Sequence, residues 1–142
     1  MKKYKLLKYD FINLPSGKKA YRIEALMDFG YVKKGDKGGF VQSEANLSHE
    51  GTSWIFDNAM VSGNAMVSGN AKVYGNAKVY GNAWVHGDAL VNGNVMVRGN
   101  ARISGKAWIT GNAVISANAR VSDNAWVSGN AVLGGNALVS GH

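Results

Sequence analysis

Cysteine is missing from the 142-residue chain. Disulfides, thiolate metal sites and cysteine nucleophiles are therefore excluded, and a reducing compartment, the cytoplasm, is the expectation. Proline occurs once, which excludes collagen and Pro-rich linkers. Charged residues make up only 18%, too few for a charge-rich disordered chain. No apolar run reaches the roughly twenty residues of a membrane span. The opening Met1-Lys2-Lys3-Tyr4-Lys5-Leu6-Leu7-Lys8 has the charge of a signal peptide but no apolar core behind it. What is abundant is glycine, at 19 residues, within a chain that is 46% hydrophobic and carries a net charge of +7.

From residue 55 onward the sequence repeats every six residues as Val-x-Gly-Asn-Ala-x. Its aliphatic positions run Ile55, Val61, Val67, Val73, Val79, Val85, Val91, Val97, Ile103, Ile109, Ile115, Val121, Val127, Leu133 and Val139, with no insertion or deletion. A small residue follows four positions later, from Ala59 to Ala137, with Val95 the one exception. Asn fills twelve of the fourteen slots from 58 to 136, Asp88 and Lys106 being the exceptions. Gly fills twelve of the fifteen from 57 to 141; Asp57, Ala117 and Asp123 replace it.

Each position has a physical role. The triplet centred on the aliphatic residue alternates out, in, out, as a short strand does. Gly-Asn bends the chain where left-handed backbone angles are cheap. Ala leaves room at a tight inner corner, and the Asn side chains can ladder along the corners. This period marks a parallel β-helix. Three hexapeptides make one triangular coil, so fifteen repeats predict about five coils and ~24 Å of solenoid.

The motif Val-Ser-Gly-Asn-Ala-Met at 61–66 and its companions resemble the hexapeptide-repeat family. That resemblance covers 55–142 and implies a left-handed parallel β-helix, commonly a homotrimer with parallel axes. The regular Gly-Asn-Ala-x-Val form behind a short Lys/Tyr-rich head also resembles proteins encoded in bacterial and phage genomes.

Residues 1–54 have a different composition and read as a basic, β-rich N-terminal cap. Segments 4–9 and 21–26 read as strands, and Leu14-Pro15-Ser16-Gly17 as the turn of a hairpin. Gly35-Asp36-Lys37-Gly38-Gly39 reads as a second turn, and 40–48 as an irregular first coil. Residues 1–37 hold ten Lys/Arg against four acids, interleaved with Tyr4, Tyr9, Tyr21 and Tyr31. Basic and aromatic residues together suit nucleic acid, or simply a solvated cap.

Residues 18 apart should lie above one another. One outward column is then Trp54, Lys72, Leu90, Trp108 and Trp126. The second is Met60, Lys78, Met96, Val114 and Val132, and the third Met66, Trp84, Arg102, Arg120 and Leu138. Apolar columns on an outer surface indicate association, and a trimer needs two adjacent stripes per subunit. The expected trimer interface is therefore Trp54, Met60, Leu90, Met96, Trp108, Val114, Trp126 and Val132. An uncapped last coil would allow two trimers to meet end to end.

The third face is the candidate binding face. Arg102 and Arg120 fall one coil apart, and like charges so close repel unless an anion lies between them. Arg98 is near in sequence, and Trp84 and His86 flank Val85. These five residues are the proposed site for an anionic, nucleotide-like small molecule; the alternative is that the arginines fan into solvent or pair with a neighbouring subunit's acids.

Three function classes follow. The family resemblance implies an acyltransferase, in which His86 would be the general base, since His49 and His142 lie outside the regular coils. However, neither the interrupting loop nor the C-terminal extension of such enzymes is present. A non-catalytic binding protein, phage-associated and acting against host defence by sequestering a nucleotide or gripping a host protein, is the expectation carried forward. A structural, self-assembling spacer is the third. No catalytic residue, cofactor, metal or membrane association is expected. Ice binding would need threonine arrays, and Thr110 is the one threonine at these outward positions.

Overall fold

The computed structural model describes residues 2–141, so His142 lies outside it. Three longer strands open the chain: β1 (Tyr4–Asn13), β2 (Lys19–Ala25) and β3 (Lys37–Val41). Fifteen two-residue strands follow, from Trp54–Ile55 to Leu138–Val139, and no α-helix occurs among the described residues. The architecture is an all-β parallel solenoid of about six turns with a small antiparallel head. Two faces are five-stranded sheets; the third is an eight-stranded sheet that runs from the head into the solenoid.

The period sets the packing. Val61, Val79 and Val97 stack in register along one face, and the aliphatic and Ala positions from Ile55 to Val121 are buried. Each coil hangs from the next through a constant offset: Lys78 N–H donates to Val95 O, Tyr80 N–H to Val97 O and Trp84 N–H to Ala101 O. The Gly slots from Gly63 to Gly135 take positive φ, and Asp57, Ala117 and Asp123 adopt the same left-handed angles at φ 57, 55 and 58°. Asparagines bridge the coils at the corners. One ladder runs Asn64, Asn82, Asn100, Asn118 and Asn136, each side-chain amide donating to the next carbonyl at 3.2–3.3 Å.

The first coil is irregular. Phe40 and Val41 pair in parallel with Met60 and Val61, and Leu47 bridges Val67. Here the Gly38–Gly39 pair departs from the sequence expectation. It is not a turn but part of β3, buried where the head enters the solenoid. Two glycines are needed because the Ile55 and Ala59 carbonyls crowd that strand.

β1 and β2 form the antiparallel hairpin, closed by Leu14 N–H to Lys18 O and Gly17 N–H to Leu14 O. The head is fastened by polar groups that the sequence did not distinguish from surface ones. Tyr4 is buried and donates its hydroxyl to Leu47 O at 2.6 Å. His49 stacks on Tyr4 at 4.2 Å. Its Nδ1 accepts the Lys3 backbone N–H, so Nε2 carries the proton given to Glu44 at 2.8 Å. The bonds from His49 and Lys2 hold the Glu44 carboxyl below its ordinary range.

Lys3 is 2% exposed. Its amine donates to Ser53 O at 2.8 Å and lies 4.8 Å from the Phe29 ring. Burial pulls its pKa from 10.5 down to about 8. Between these values the unfolded chain binds more proton than the folded one, so stability should rise with pH across that window. The buried Tyr4 phenol does not oppose this, because its pKa is pushed up from 10.0 and its contribution is lost only above that value. Urea midpoints are expected to climb between pH 8 and 10, and Lys3→Met to flatten the climb. A wild-type midpoint falling over the same interval would show that Lys3 is not held in this way.

Candidate functional site

The 18-residue register places all three outward columns as the spacing implies. Arg102 pairs directly with Arg120 and with Trp84, and Arg120 with Leu138. The two arginines and the asparagine ladder at Asn100, Asn118 and Asn136 line a groove of about 440 Å³, with Leu138 at its upper end. Both arginines are exposed, and neither forms a salt bridge among the described residues. No carboxylate lines the groove. Each asparagine amide has two N–H donors, of which the ladder uses one at Asn100 and Asn118 and neither at Asn136. The groove is therefore rich in donors and carries two like charges at one-coil spacing.

Trp84 and His86 form the lower part of the same face. Their rings lie 4.2 Å apart. The Trp84 indole N–H donates to Ser68 Oγ at 3.0 Å, and the Arg102 guanidinium sits 5.9 Å from the indole ring. The chain Trp84–Arg102–Arg120 is thus continuous. His86 titrates below its ordinary 6.5, first because of partial burial and second because of the Arg102 charge. It is a neutral imidazole near pH 7, and no side chain orients its ring among the described hydrogen bonds. Arg98 is exposed but belongs to the adjoining face and does not line the groove. Asn100, Asn118 and Asn136 are the groove residues that sequence reasoning assigned to the corners alone. Their constant place two residues before Arg102, Arg120 and Leu138 was the available signal.

The association columns need correction at their base. Trp54 does occupy the first column, paired with Lys72, but it is 1% exposed. The head folds over it, with Phe29 edge-on at 5.3 Å and Tyr4 at 6.1 Å. Parity placed it outside the coil; it could not show that another segment covers it. Trp54 is therefore not an interface residue. Met60 is half-buried against the Leu14, Ala20 and Phe40 cluster of the hairpin. Higher up, the columns are open. Trp108 and Trp126 stack at 5.2 Å, and Trp126 and Val132 are the most exposed, while Leu90, Met96 and Val114 are half-buried.

In the head, the basic and aromatic residues mostly engage one another. Lys8 lies over Tyr21, Lys19 over Phe11 and Arg22 over Phe40, each at 4.2–4.3 Å. Arg22 also holds Asp10 at 3.0 Å. Tyr9 and Tyr31 remain exposed. Among the described residues, no group of His, Asp or Glu could hold a metal ion, and no helix is long and apolar enough to cross a membrane.

These stacked six-residue rungs form a β-solenoid that fits a hexapeptide-repeat-like β-helix family. Residues 55–69, 71–87 and 119–135 match the family model described as the YdcK beta solenoid repeat. A comparison with curated proteins finds no match.

Proposed function

We propose that this protein is a non-enzymatic, self-associating binding module whose arginine face sequesters an anionic, nucleotide-sized ligand. The observation that carries the reading is the direct Arg102–Arg120 pairing in a groove without a carboxylate. Two guanidiniums held in register by a rigid sheet repel, and an anion between them removes that cost. Trp84 at the foot of the same column offers a flat apolar surface for a base. His86, with no hydrogen bond orienting its ring and Trp84 at 4.2 Å, suits stacking better than proton transfer. The open parts of the two apolar columns support trimerisation around a threefold axis, and sequestration of a host signal is the role we assign to such a trimer. The unbroken rungs also favour a second reading, a structural spacer, which requires no ligand.

Titration with inorganic pyrophosphate at low salt, followed by calorimetry, separates the two. Binding should saturate and weaken steeply as salt rises. Arg102→Gln and Arg120→Gln should each lower the affinity about tenfold or more, as expected for loss of a charge-assisted hydrogen bond worth roughly 1.5–3 kcal/mol. Absence of saturable binding to pyrophosphate and to a nucleoside triphosphate would leave the spacer as the better account.

A further inference from the structure

A second concavity lies on the opposite side of the corner, where the hairpin tip overhangs the second outward column. Its volume is about 660 Å³, within the range of small-molecule sites. The tip is fixed by its own turn hydrogen bonds, Leu14 N–H to Lys18 O at 2.8 Å and Gly17 N–H to Leu14 O at 2.9 Å. Leu14 and Pro15 form one wall, and Met60, Met96 and Tyr80 the other. Leu14 and Met60 belong to the packed cluster beneath the hairpin tip, so this end of the cleft is preformed. Met96 is the adaptable part of the apolar lining.

The cleft has two charges, Lys18 and Lys78, and no carboxylate lines it. Neither lysine forms an ion pair among the described residues, whereas Lys2, Lys5 and Arg22 each have an acid. Lys8 and Lys19 lie over aromatic rings. Lys78 is also out of place in its column, where its register neighbours are Met60 and Met96. A second protein surface packed flat on this lower stretch of the column, below Val114 and Val132, would bury that ammonium without a partner, which is costly. A small anion would satisfy it instead.

We infer that this cleft binds an amphipathic anion, a small molecule with an apolar body seated between Leu14, Met60 and Met96 and one phosphate, carboxylate or sulfonate group held by Lys18 and Lys78. The site is separate from the arginine groove and does not depend on it. Lysine suits this task because it meets an anion as a point charge, without the fixed geometry of a guanidinium.

The probe for the test is 1-anilinonaphthalene-8-sulfonate, which joins an aromatic body to one sulfonate. Wild-type protein should bind one probe per chain, with saturable, blue-shifted emission. The double variant Lys18→Gln/Lys78→Gln should bind at least tenfold more weakly, with circular dichroism and melting unchanged because both side chains are exposed outside the solenoid core. Arg102→Gln/Arg120→Gln should bind the probe like wild type, so failure of the arginine reading and failure of this one remain distinct. Displacement by dodecyl phosphate would assign an acyl body, and by adenosine monophosphate an aromatic one. Displacement by neither, probe binding unaffected by the lysine pair, or non-saturating binding would each overturn the inference.

Discussion

Gly39→Ala is expected to destabilise the protein by roughly 3–5 kcal/mol, combining overpacking with the loss of one or two buried hydrogen bonds. A Cβ at this position would lie 2.2 Å from the Ala59 carbonyl oxygen and 2.6 Å from Ile55 Cγ2. Neither neighbour can retreat easily. Ile55 is a core residue, and Ala59 O accepts the Phe40 N–H at 2.9 Å. The strand would have to lift from its partner, which also strains the Gln42 N–H bond to Val61 O. Gly35→Ala is the control. Its φ is +93° but nothing lies within 4 Å of the added carbon, so its cost should be about 1 kcal/mol. Urea unfolding of both variants checks the difference. A Gly39→Ala midpoint close to wild type would mean that the head does not enter the solenoid through β3.

Trp54→Ala should be equally severe, and Trp126→Ala should not, although both occupy the same column. Trp54 is enclosed by Phe29 and Tyr4. Truncating an enclosed Trp costs roughly 3–5 kcal/mol. Trp126 is 65% exposed and stacks on Trp108 alone among the aromatic rings, so its loss should cost the isolated chain about 1 kcal/mol or less. Its effect belongs to assembly. If the columns associate, Trp126→Ala should shift sedimentation from trimer toward monomer while the melting of dilute protein barely moves. Wild-type protein that sediments as a monomer at every concentration would remove the association reading and leave the two chain-stability values standing.

These contrasts mark where the sequence was legible. Position along the solenoid could be counted, because a strict six-residue period without insertions leaves one register. Arg102 over Arg120, and Trp108 under Trp126, followed from adding 18. Whether a residue outside the coil meets water could not be counted, since that depends on where a non-repeating segment lands. Trp54 points away from its coil as parity requires and is still covered. Gly38–Gly39 carries the composition of a turn, yet it is a strand that two carbonyls approach too closely for any side chain. Lys3 has no local feature that separates it from Lys2 or Lys5; only the tertiary fold brings the Ser53 carbonyl to its amine. The hairpin-tip cleft was out of reach for the same reason, although Lys78 was visible in advance as the charged member of an otherwise apolar stretch of its column.

The constant 17-residue offset of the hydrogen bonds between the regular coils also has a mechanical consequence. Between any two neighbouring coils the ladders on all three faces and the corner asparagine bridges act side by side. A pull along the solenoid axis must stretch them together, whereas a pull across the axis on one strand can peel them in turn. The molecule should therefore behave as an anisotropic rod, stiff end to end and weaker when loaded from the side. A body attached to the flank and one attached to an end would experience the same solenoid as two different materials.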